Sequence, residues 1–201
     1  MDIKSSIASK YRKGNSILFS RDSECLQELI QLIQIQKHRT LVLWALDCAE
    51  KPLKMFEISY PDEHRLRNSL SLCKAWSRGL VKMPEAKKAI LNAHAIAKEI
   101  DDKVNIARIH AVAQAGSTVH VETHALGLVF YELTAIVFNV GIENCDQPVS
   151  EKINYYLDRL LYWQLNGDNL NISWAKFLLN DDCLNKEKQL SDKTKSKTYN
   201  N

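Results

Sequence analysis

Proline and glycine are scarce in this chain, four and six among 201 residues. That is too few for the frequent turns of an all-β domain. No Cys-x-x-Cys occurs among the five cysteines (Cys25, Cys48, Cys73, Cys145 and Cys183), which excludes zinc knuckles and thioredoxin-like motifs. An odd number of scattered cysteines reads as free thiols, mostly buried, in a reducing compartment. The longest uninterrupted apolar run, Leu41 to Leu46, falls far short of a membrane span. The opening "MDIKSSIASKYRKGNS" lacks an apolar stretch of signal-peptide length. A cytoplasmic protein with no membrane contact is expected.

An excess of one charge is also missing, although the net value of +3 hides a division. Residues 1–21 carry five basic and one acidic residue, and residues 184–201 carry five and two. Residues 22–183 keep 17 basic and 21 acidic residues, a net of −4. A folded body of that sign does not suit direct nucleic-acid binding, which needs clustered Lys and Arg. The division gives three expected regions: a flexible basic arm over 1–21, a single helical domain over 22–183, and a disordered basic tail over 184–201.

What is abundant is apolar residues at helical spacing. In "DSECLQELIQLIQIQK", Asp22 or Ser23 is placed to cap a helix reaching about Lys37. Pro52 should kink or restart the helix that follows "LVLWALDCAE". Leu66, Leu70, Cys73 and Ser77 recur at offsets 0, 4, 7 and 11, and Gly79 stops that run. Pro84 opens the next helix, with Ala86, Ile90, Ala93 and Ala97 on its inner face. From Asp102 the chain reads as helix to about Val140, with a break near 117–121. The expected fold is all-α, a compact bundle of about seven or eight helices.

Several polar residues fall in apolar settings. Asp47, in "LWALDCA", needs a partner if buried, and Arg65, Arg67 and Arg108 are the candidates. Trp44 and Asp47 share a helix face with Glu50 a further turn on, so two readings stay open. One is a recognition pocket, the other an ion pair that fixes helix packing. His94 lies beside Ile90 and Ala97, as a core histidine would. "PDEHRLR" offers Asp62, Arg65 and Arg67 near a helix start, as an anion site or as caps. In "VHVETHALG", His120 and His124 would share one face if helical, while Glu122 would point away. The zincin pattern, with its glutamate next to the first histidine, is absent. The leading alternative is a hydrogen-bonded seam through Gly127 and Tyr131. Neither metal nor other cofactor is expected, and no complete catalytic set is found.

Together, "LWALDCAEKPLKMFEISYPDEHRLRNSL", "CKAWSRGL", "AILNAHAIAKEI" and "ARIHAVAQAGSTVHVETHALGLVFYELTAI" resemble the immunity protein family of bacterial toxin–immunity systems, the fifth-named immunity class and its relatives. Five elements carry the likeness in order: Trp44 to Glu50, Pro61 to Arg67, Ala75 to Gly79 with Trp76, Ala93 to Ala95 with His94, and His120 to Gly127. They span roughly residues 41–140. The bulky Phe130, Glu132 and Phe138 depart from the alanine-rich family pattern, which puts partner specificity in question. The resemblance implies an all-helical, non-enzymatic protein of a bacterial cytoplasm that neutralises a cognate toxin by binding. An acidic body suits a basic target such as a nuclease. The competing expectation is a helical enzyme that binds a metal or small molecule through His94, His120, His124, Asp47 and Glu50.

Overall fold

The computed structural model describes residues 2–198, with side chains described as far as residue 193. Ten α-helices and no strand occur among the described residues. They are α1 (Ile3–Arg12), α2 (Gln27–Gln34), α3 (His38–Cys48), α4 (Glu50–Ser59), α5 (Arg65–Ser77), α6 (Met83–Ile96), α7 (Lys103–Ser117), α8 (His124–Val140), α9 (Asp146–Asn166) and α10 (Lys186–Thr198).

The number exceeds seven or eight because helices form at both ends, where a flexible arm and a disordered tail were expected. Ile3 and Ile7 of α1 sit one turn apart and are buried in the core. Each gains roughly 1.5–3 kcal/mol from leaving water, which outweighs the polar character of its neighbours. Asp2 caps this helix by accepting from the Ser5 amide at 2.9 Å. Leu18 and Phe19 are also fully buried. At the other end Asn185 donates to the carbonyls of Ile33 and Gln36 at 2.9 and 3.1 Å, satisfying the end of α2. Its side-chain oxygen accepts from the Glu187 amide at 2.9 Å. Glu187, almost wholly buried, takes two hydrogen bonds from Arg21, at 2.5 and 2.9 Å. The two ends are therefore clasped to each other. Residues 199–201 of the expected tail lie outside the described residues.

α7 is the hub, packed against α3, α4, α5, α6 and α8. Its alanines (Ala107, Ala111, Ala113 and Ala115) are buried on all sides, so neighbours approach from every direction. Gly116 extends this closeness toward α5, since a Cβ there would lie 2.8 Å from Cys73 Sγ. Burial pushes the Cys73 thiol up to about 12, so it is an inert packing group. Asp102 caps α7, accepting from the amides of Val104 and Asn105 at 2.9 and 3.2 Å.

The proline punctuation works as read, whereas no side chain caps α2, which runs from Gln27 to Gln34 behind a 3-10 turn and stops short of Lys37. α3 gives way to α4 at Ala49, and Pro52 occupies the first turn of α4, where its missing N–H costs nothing. Pro84 likewise falls in the first turn of α6. The segment 118–123 separates α7 from α8. Contacts of Gln114 with His124, and of His110 with Tyr131, run in opposite chain directions, so α7 and α8 form an antiparallel hairpin.

Candidate functional site

Asp47, at the end of α3, is paired, but not with Arg65, Arg67 or Arg108. Its partner is Arg159 of α9, whose Nε and Nη2 reach Asp47 Oδ2 at 2.7 and 2.6 Å. Trp163, one turn further along α9, donates its indole N–H to the same oxygen at 2.9 Å. The Asp47 side chain remains 29% exposed, so this pair borders solvent instead of lying in the core. The Arg159 guanidinium also covers the Tyr162 ring, 4.4 Å from its centroid.

Glu50 and Asp47 line one surface groove of about 250 Å³ with Lys74, Arg78, Trp163 and Trp174. Glu50 takes hydrogen bonds from Lys74 and from Arg67 Nη1, the latter at 2.9 Å. Arg67 then continues to Glu57, with bonds of 2.8 and 2.6 Å. The Glu50 carboxyl is half-buried, which raises its pKa, but the Lys74 and Arg67 bonds outweigh that and hold it below its usual value. Trp44 does not line this groove. It is fully buried and donates to the Tyr156 carbonyl at 3.0 Å, tying α3 to α9. Trp163 supplies the indole that Trp44 was expected to provide.

Arg65 stands apart from the groove. It bonds Glu63 and Glu99, and Glu63 accepts from the Arg65 amide at 2.9 Å. This is the capping arrangement, with the anion site filled by the chain's own carboxylates. Asp62 is exposed.

The histidines do not form one helical pair. His120 is exposed in the α7–α8 link and lies over buried Trp76, with centroids 6.3 Å apart. His124 opens α8, and its Nδ1 meets Gln114 Oε1 at 2.6 Å. A Cβ on Gly127 would fall 2.5 Å from that Gln114 oxygen, so Gly127 makes room for the bond. Glu122 is buried near His38, with 3.9 Å between its Oε1 and His38 Nδ1. His38 Nε2 also meets the Thr118 carbonyl at 2.6 Å, closing the end of α7. Among the described residues, no three His, Cys, Asp or Glu side chains are grouped so as to hold a metal.

Sequence reasoning missed His110. Its Nδ1 lies 2.9 Å from His94 Nδ1, so one ring donates and the other accepts. Its other face packs on Tyr131, with centroids 4.9 Å apart. Burial, then the neighbouring His94, lowers the His110 pKa to about 4. Burial also lowers those of His94 and His124. The signal was present in the spacing. His110 and Gln114 stand one turn apart in an alanine-rich helix, facing the His124, Gly127 and Tyr131 stripe of α8.

Arg108 points elsewhere, into a cleft beside Glu132 and Lys152. No described helix is long and apolar enough to cross a membrane. A family model described as Imm-5 like putative immunity protein matches residues 31–159. No curated protein and no solved structure matches the chain.

Proposed function

Because the chain belongs to the Imm-5 like putative immunity protein family, whose model covers 31–159, we propose that it neutralises a bacterial toxin by forming a stoichiometric complex with it in the cytoplasm. The family match carries this reading. The protein acts as a binder and turns nothing over.

The groove built by Asp47, Glu50, Lys74, Trp163 and Trp174 is the contact surface that best fits such a role. Its charges are held in place by Arg159 and Arg67, so little side-chain freedom is lost on docking. Outward along α9, Leu161, Tyr162 and Leu165 are exposed, Leu165 by 74%. Aromatic and apolar groups beside fixed ion pairs make the composition of an interface centre with a polar rim.

The test is co-expression with the product of the neighbouring reading frame. Rescue from a product that is lethal alone, with co-purification at one to one, is the expected result. Leu165→Glu should abolish rescue while leaving the melting temperature within about 1 °C, as surface changes do. A product that is harmless alone, or that stays lethal beside this protein, refutes the immunity reading. Undiminished rescue by Leu165→Glu moves the contact surface away from α9.

A further inference from the structure

Four helices line a cleft of about 290 Å³: α4 through Met55, α7 through Arg108, α8 through Glu132 and Ile136, and α9 through Pro148 and Lys152. Three ionisable groups in its wall are more than nine-tenths buried: Arg108, Glu132 and Lys152. Glu132 is fully engaged. Tyr156 donates to its Oε2, and the Lys152 ammonium lies 2.7 Å from its Oε1. Lys152 gains further support from the faces of Tyr155 and Tyr156, at 4.5 and 4.7 Å. Its contact with Glu132 lacks hydrogen-bond alignment, however, so its N–H groups are not satisfied by the protein.

Among the described residues no carboxylate pairs with Arg108, and its one side-chain hydrogen bond goes from Nη1 to Asn105 Oδ1, at 2.9 Å. Asn105 is already bound to Asp102 through its own amide. Burial lowers the Arg108 pKa, while Asp102 and Glu132, beyond ion-pair distance, pull weakly the other way. Two buried cations against one buried anion leave a surplus positive charge. Arg108 lines the cleft, and its remaining guanidinium nitrogens make no other hydrogen bond or ion pair among the described residues. Solvent still reaches the unpartnered nitrogens of this largely buried cation, so an anion entering the cleft can answer them in place of water.

We propose that this cavity binds a small organic monocarboxylate, whose carboxylate meets Arg108 and whose apolar body lies against Met55, Ile136 and Pro148. A planar carboxylate matches the guanidinium fork through two parallel bonds. One negative charge balances the surplus, whereas a dianion such as phosphate would also face Glu132. The apolar wall favours a hydrocarbon body over a bare ion, and the volume is near the lower end of small-ligand sites.

The experiment titrates the intact protein, without toxin, with benzoate, butyrate, benzamide and inorganic phosphate. Melting temperature and the Arg108 Nε–Hε signal in a 15N NMR spectrum are followed. Benzoate or butyrate should give a saturable shift of that signal and raise the melting temperature by about 3 °C at tenfold excess over the dissociation constant. Benzamide and phosphate should do neither. Arg108→Gln should lose the response. Ile136→Phe fills the cavity from its half-exposed edge while keeping Arg108, and should lose the response with the fold intact. The proposal is overturned by no saturable response to either carboxylate, by an equal response in Ile136→Phe, or by phosphate binding as well as benzoate. None of these results bears on toxin binding, which the co-expression assay reads separately.

Discussion

At Asp47 a single carboxylate oxygen collects donors from Arg159 and Trp163, at a site 29% exposed. Full burial would make Asp47→Ala cost about 3–5 kcal/mol, and full exposure less than about 1 kcal/mol. Its intermediate position sets the expectation at about 1–2 kcal/mol, measured by urea unfolding. A double-mutant cycle with Arg159→Ala should show the two changes to be non-additive. Gly127 presents a different kind of dependence. A methyl group there occupies the space of Gln114 Oε1, so Gly127→Ala must displace Gln114 and break its bond to His124. Overpacking outweighs the better helix propensity of alanine, and a net loss of about 1–2 kcal/mol is expected. Gly127→Ala combined with Gln114→Ala, which removes the obstacle, should recover part of that loss.

Between elements, the α6–α7–α8 seam makes stability depend on pH. His94, His110 and His124 all have lowered pKa values in the folded protein, that of His110 about 4. Between that value and about 6.5 the unfolded chain binds more protons than the folded one. Stability is therefore complete above about pH 6.5 and falls as the pH drops toward 4. Unfolding midpoints at pH 7.5, 6 and 5 should decline in that order. His110→Gln, which cannot take up the proton, should flatten the decline, and an unchanged slope would place the titration elsewhere. Of the elements, the helices from α3 to α9 were legible in the sequence. Pro52, Gly79 and Pro84 mark real helix boundaries, because backbone constraints act locally and leave a local signature. Partner choice was not legible. Asp47 and Arg159 are 112 residues apart, and three other arginines were equally plausible by chemistry. His120 and His124 failed as a pair for a local reason: the chain turns at 118–123 before α8 begins, so helical spacing does not apply to them.

At the scale of the whole molecule, charge segregation along the chain misrepresents the ends. Net charge averaged over 1–21 and 184–201 concealed Ile3, Ile7, Leu18 and Phe19, as well as the pairing of Arg21 with Glu187. Glu187→Ala should destabilise the protein by about 2 kcal/mol, since it removes a two-bond pair whose carboxylate is buried. Calorimetry should show this as a lower midpoint for a single transition of the full chain, and two resolved transitions would mean that the ends unfold independently. The clasp has a practical consequence for anyone trimming the protein. The stretch that a family model recognises, 31–159, leaves out the buried Ile3, Ile7, Leu18 and Phe19. Cut at those limits, it would lose the side chains that roof its own core and expose a greasy floor to water. A fragment so made should precipitate or bind indiscriminately, and an interaction screen run with it would report stickiness in place of recognition.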